Sequence, residues 1–244
     1  MQTIIEFKNV SFSYEPEGKQ ILNQVSLVME KGKSYAFVGP TGEGKSTTAS
    51  LIARLYEPIF GKIYFMGQDL KELSGPELYS QIGFILQEPY LFTGTVLENI
   101  VYGNNQFEKF STLFDDSGSV EQPEYDQFTK ILEQKKLDKL IKLFPDGLKT
   151  EITNNSDNIS LGQKQIINFL RVILREPKFL ILDEATANLD TVTEKLLQEI
   201  LDSLPSDVTT MIIAHRLNTI KNVDQIFLVG GGKISIGDKE KLLN

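Results

Sequence analysis

Apolar positions along this chain recur at two spacings, and the switch between them predicts the elements. Ile5, Phe7 and Val10 follow the pattern of a strand over Ile4–Tyr14. Pro16 and Gly18 mark a turn at Glu15–Lys19, which leads to a second strand over Gln24–Met29. Further strands are predicted at Ser34–Val38, Lys62–Met66, Gln81–Leu86, Val208–Ala214 and Gln225–Val229. The unbroken apolar run from Phe179 to Leu182 suits a strand buried on both faces, and it ends in Asp183 and Glu184. Helical spacing replaces strand spacing at 126–144, where residues 128, 131, 132, 137, 140, 141 and 144 are apolar, so one amphipathic helix is expected there. Other helices are expected over Thr47–Leu55, Leu161–Arg175 and Thr191–Leu204, the last ended by Pro205. Ser160 with Gln163 three residues on is a capping-box pattern. Residues 104–126 are polar, centred on Asp115, Asp116, Ser117 and Gly118, and read as a surface insertion. Strands alternating with helices predict an α/β fold around a parallel sheet.

Composition narrows the picture. The chain has 244 residues, 41% of them hydrophobic, which suits one large or two small domains. A net charge of −8 argues against nucleic acid as a partner. With no cysteine there is no disulfide and no cysteine zinc site. No apolar run approaches the ~18 residues of a membrane span, and the N-terminus lacks the regions of a signal peptide. The expectation is a chain that does not itself cross a membrane.

Residues 39–47, Gly-Pro-Thr-Gly-Glu-Gly-Lys-Ser-Thr, stand between a predicted strand and a predicted helix. A glycine-rich turn can precede a helix by chance, but this context and spacing are those of a phosphate-binding loop. Gly39, Gly42 and Gly44 let the backbone between and around Pro40, Thr41 and Glu43 curl, so that successive N–H groups face phosphate oxygens. The helix starting near Lys45 adds the positive end of its dipole. Lys45 can reach the β- and γ-phosphates, and the Ser46 hydroxyl, beside Thr47, can ligate Mg²⁺. Asp183 is suited to the Mg²⁺ shell and Glu184 to polarising a water. The ligand class is therefore a nucleoside triphosphate.

In order along the chain, Tyr14, the loop 39–47, Gln87, Ile159–Gln163, Asp183 with Glu184, Ala187–Asp190 and His215 resemble the motifs of the ABC-type ATPases. The run Gln87–Ile100 resembles exporter domains in particular. The resemblance implies a P-loop NTPase core with a mostly parallel sheet, an N-terminal antiparallel β subdomain and an inserted α-helical subdomain. It implies one domain over 1–244, with a catalytic core of 1–86 and 165–244 and a helical part of 87–164. ATP and Mg²⁺ are the implied ligands: Tyr14 stacks on adenine, Ser46, Gln87 and Asp183 hold the metal, Glu184 is the general base, and His215 and Gln87 align the water. Each residue also has a plainer reading: Tyr14 as a strand tyrosine, Glu184 as a salt-bridged acid, Gln87 as a turn amide and His215 as a structural histidine. Asp190, expected to reach a partner subunit, can equally cap the helix at Thr191.

In this family ATP lies between one subunit's loop and a second subunit's signature, so Ser160, Gly162 and Gln163 are expected to meet nucleotide bound by a partner. Here Ile159 and Leu161 replace the usual leucine and first glycine, and Thr153–Ser156 lacks the usual Gly-Glu-Arg run. Leu161 adds bulk where backbone must approach a phosphate. The departure is either neutral drift within a homodimer or the mark of a heterodimer. The implied function is the ATPase subunit or domain of an exporter, at the cytoplasmic face of a membrane beside a transmembrane domain. The rival readings are a non-transport ABC ATPase and an ATP-dependent dimerisation switch. The cargo has no trace in this chain.

Overall fold

Strands and helices alternate through most of the computed structural model, which describes residues 2–86, 89–110, 122–183, 191–213, 222–238 and 240. The elements are β1 (Thr3–Phe12), β2 (Leu22–Glu30), β3 (Ser34–Val38), α1 (Lys45–Ile52), β4 (Phe60–Phe65), β5 (Gln68–Asp69), α2 (Gly75–Gln81), β6 (Ile82–Ile85), β7 (Gly94–Thr95) and α3 (Val96–Val101). They continue with α4 (Gln122–Gln134), α5 (Asp138–Ile141), β8 (Glu151–Ile152), α6 (Leu161–Ile173), β9 (Phe179–Asp183), α7 (Thr191–Asp202), β10 (Thr209–Ile213), β11 (Gln225–Gly230) and β12 (Lys233–Gly237). The chain divides into two units, one of residues 1–84, 177–184 and 205–244, the other of 85–176 and 185–204.

The first unit holds two sheets. One has the order β12-β11-β3-β10-β9-β6, and the other, β2-β1-β4-β5, is antiparallel. β3 pairs parallel with both β11 and β10, and β10 pairs parallel with β9. Tyr35, Ala36 and Phe37 are buried, as are Phe179–Leu182, the signature of strands covered on both faces. Parallel pairing puts the C-terminal ends of these strands at one edge. Phe37, Ile213 and Asp183 form a single row across β3, β10 and β9. Asp183 therefore stands two strands, about 10 Å, from the strand that leads into the 39–47 loop.

The second unit is mainly helical. Asn99 of α3 is fully buried and four-fold bonded: its Oδ1 accepts from the Phe92 N–H and from Arg171, and its Nδ2 donates to the Phe92 and Thr95 carbonyls. Arg171 of α6 also donates to the Asn99 and Tyr90 carbonyls, and burial, then the charge of Arg175, pull its guanidinium down to about 10. These bonds fix α6 to residues 90–102. They explain why contacts group 165–176 with this unit and not with the catalytic core, as the sequence suggested.

Two other expectations need correction. The helix expected over 126–144 is two helices, α4 and α5. Lys136 takes a left-handed conformation (φ 58°), the Leu137 N–H donates to the Leu132 carbonyl and the Lys136 N–H to that of Glu133. That is a Schellman stop, followed by a new helix, α5. The stretch read as a surface insertion is only partly that. Phe107 and Phe110 are buried against Phe128, with ring centroids 6.0 and 5.1 Å from it, and α4 begins at Gln122. Residues 111–121 lie outside the described residues.

Candidate nucleotide-binding site

The loop joins β3 to α1 in the first unit, and its backbone is shaped by glycine. A Cβ on Gly39 would stand 2.0 Å from the Val229 carbonyl oxygen of β11, so only glycine fits there. Gly42 (φ 81°) and Gly44 (φ 106°) take left-handed conformations. Gly44 is the N-cap of α1, makes no side-chain cap, and no acid occupies the first turn. The first N–H groups of α1 are therefore not claimed by a capping side chain.

Lys45 supplies the charge. It is only 5% exposed, and its ammonium donates to the carbonyls of Gly39 (2.8 Å) and Pro40 (2.9 Å). Its stem is packed and its charged end is held against the loop it serves. Glu43 points elsewhere: its carboxylate accepts from the Gly231 N–H at 2.7 Å and pairs with Lys19. Its part in the loop is thus through its backbone. The Ser46 side chain is exposed, whereas Thr47 is buried and shares a hydrogen bond of 2.9 Å with the Tyr14 hydroxyl.

Tyr14 lies two residues beyond β1, in a bend, and not within the strand as its sequence suggested. Its ring stands edge-to-face with Phe12 (5.0 Å, 84°) and with Tyr56 (5.1 Å, 85°). It remains 53% exposed, within reach of a ligand. Tyr56 escaped the sequence reading because it carries no spacing signal; it is one aromatic residue just past a helix. Val229 and Gly231 were missed for a similar reason, since Val229 meets Gly39 only because β11 lies beside β3, and Gly231 meets the loop only through the Glu43 carboxylate.

These features suit a polyphosphate: an uncapped helix start, a backbone too close-packed for any Cβ at Gly39, and a buried ammonium. The Ser46 hydroxyl and the Asp183 carboxylate are hard oxygen donors of the kind Mg²⁺ takes beside phosphate oxygens.

In the second unit, Ser160 caps α6. Its Oγ accepts from the Gln163 N–H at 3.1 Å, and Gln163 Oε1 accepts from the Ser160 N–H at 2.9 Å, the reciprocal box expected from the sequence. Gln163 Nε2 donates to the Leu143 carbonyl. Ile159 is buried, Gly162 partly so, and Leu161 is 42% exposed at the head of the helix. Gln87, Glu184, Asp190 and His215 lie outside the described residues.

The family described as ABC transporter matches residues 22–187. The ABC transporter ATP-binding protein YfiC of Bacillus subtilis is 42% identical over 240 residues, 98% of this chain and 37% of that protein. A fatty acid ABC transporter ATP-binding/permease protein of Mycobacterium tuberculosis is 38% identical, over 94% of this chain and 34% of that protein. The solved structure of a bacterial Atm1-family ABC exporter with ATP bound superposes with a TM-score of 0.82 at 31% identity, covering 99% of this chain and 40% of that one. The chain thus spans between a third and two-fifths of the length of these relatives. The chain belongs to the ABC transporter family and corresponds to its ATP-binding domain, which hydrolyses ATP.

Proposed function

We propose that this domain binds MgATP in the 39–47 loop and hydrolyses it to drive an ABC exporter. The observation that carries the binding step is the buried Lys45 ammonium, held on the carbonyls of Gly39 and Pro40 at the uncapped start of α1. Tyr14 stacks on the adenine, and Lys45 with the loop amides holds the β- and γ-phosphates. Ser46, Gln87 and Asp183 would hold Mg²⁺, which would supply positive charge against the charge developing on the phosphate oxygens. Glu184 accepts the proton of the attacking water, while His215 and Gln87 keep that water in line with the γ-phosphate. Positioning and electrostatics dominate such transfers, so loss of either group should reduce rate far more than affinity.

The exporter assignment is supported by relatives whose names include a fatty acid transporter and a probable multidrug resistance transporter, and by the Atm1-family exporter. On this reading the chain works beside a transmembrane domain at the cytoplasmic face of a membrane, and a second ATPase domain closes over its ATP, with Asp190 reaching across. Leu161 favours a heterodimer. Exposed where the family has glycine, it would crowd a γ-phosphate presented by a partner, so this chain's loop would fire under the partner's intact signature.

Glu184→Gln tests the chemistry. ATP affinity should remain, and turnover should fall by at least about 100-fold. A variant above a tenth of the wild-type rate, a loss under ~1.4 kcal/mol, would remove Glu184 from the role of main base.

A further inference from the structure

We propose that Tyr56 is a positioning residue for the base, holding Tyr14 as a preformed platform for adenine; this rests on the reading that Tyr14 stacks on the nucleotide. Tyr14 sits in a bend between β1 and β2 and is half exposed. An aromatic side chain in such a place has no reason of its own to keep one rotamer. Here it is held at both ends. Its hydroxyl is bonded to Thr47 Oγ1 in the first turn of α1. Its ring meets Phe12 and Tyr56, which also meet each other at 5.6 Å, closing a three-ring cluster.

The two outer supports reach Tyr14 from opposite ends of one helix. Thr47 lies in the first turn of α1, the helix that also carries Lys45. Tyr56 leaves the other end along a fixed path. Arg54 takes a left-handed conformation (φ 53°), the Leu55 N–H donates to the Ser50 carbonyl, and the Arg54 N–H to the Leu51 carbonyl. That Schellman stop, together with an Arg54 hydrogen bond to the Leu70 carbonyl, sets the direction in which Tyr56 departs. The platform for the base is thereby referenced to the same helix that begins at the phosphate loop. Adenine and triphosphate are two ends of one ligand, so fixing their sites to one rigid element removes an ordering cost from binding. Tyr56 is itself 46% exposed, so filling the core does not account for its position.

The experiment is equilibrium titration with MgATP and, in parallel, with magnesium tripolyphosphate, which has the phosphates and no base. Tyr56→Ala should weaken ATP by about 3- to 10-fold, the range of an edge-to-face aromatic contact, and leave tripolyphosphate unchanged. Tyr56→Phe should restore ATP affinity to within about 2-fold, because the ring and not the hydroxyl makes the contact. Tyr56→Leu keeps apolar bulk and serves if the alanine form fails to fold; it should show the same base-specific loss. In the Tyr14→Ala background, Tyr56→Ala should add little, since its target is gone. The inference is overturned by unchanged ATP affinity in the Tyr56 variants, by an equal loss for both ligands, or by losses that add to that of Tyr14→Ala. If Tyr14→Ala itself leaves ATP affinity unchanged, the stacking reading fails and the positioning role falls with it, an outcome separable from the first three.

Discussion

The starts of α1 and α6 are built in opposite ways. α1 begins at a glycine in a left-handed conformation, with no capping side chain and a buried lysine as its first residue. α6 begins at Ser160 with a complete capping box, in which the Ser160 and Gln163 N–H groups are answered by each other's side chains, and an exposed leucine as its first residue. α2 and α3 resemble α6, with boxes from Ser74 and Glu77 and from Thr95 and Glu98. A capping box is worth about 1 kcal/mol to a helix, so α1 forgoes a stabilisation that α2, α3 and α6 have. Such a start makes sense where the missing acceptor is a phosphate. The contrast separates a helix end shaped to take an anion from one shaped to be stable by itself.

The largest expected break of this contrast is Lys45→Ala. With the buried charge gone, ATP affinity should fall about 100-fold, or ~3 kcal/mol, by titration in the presence of Mg²⁺. Affinity like that of wild type would show that α1 does not depend on its lysine. Next, Leu161→Gly brings α6 towards the form of α1. A self-dimer of the wild type carries Leu161 in both sites and should turn over slowly, so the glycine form should raise the steady-state ATPase rate several-fold at protein concentrations high enough to populate dimers. Glycine in the first turn costs roughly 1 kcal/mol of helix stability or less, and thermal unfolding will register that. A fast wild type and a glycine form no faster would make Leu161 a tolerated variant and remove the argument for a heterodimer. The smallest effect is Ser160→Ala, which removes the box. It should cost about 1 kcal/mol and lower the melting temperature by roughly 2–4 °C, without weakening ATP binding to the isolated chain.

The parts legible in the sequence were those whose physics is local. The loop, its flanking strand and helix, the box at Ser160 and the strand ending at Asp183 each follow from a short stretch of residues. Other local signals were present but passed over. Ser74 and Glu77, with Pro76 between them, mark the start of α2, and Thr95 with Glu98 marks that of α3. The break at Lys136 could not be read from apolar spacing, because α4 and α5 continue one hydrophobic pattern across a single left-handed residue. The burial of Phe107 and Phe110 was hidden by the polar residues around them, since their partner Phe128 lies beyond residues 111–121. Tyr56 and Val229 reach the site only through tertiary packing, and no periodicity announces that.

The most direct test of the contrast is to follow backbone amides by NMR while MgATP is added to the protein at a concentration low enough to keep it monomeric. Phosphate accepted by the open helix start should shift the amides of Gly42, Gly44, Lys45 and Ser46 strongly, and leave those of Leu161, Gly162 and Gln163 near their free positions. Unmoved amides at 42–46, or shifts at 161–163 of the same size, would contradict the account.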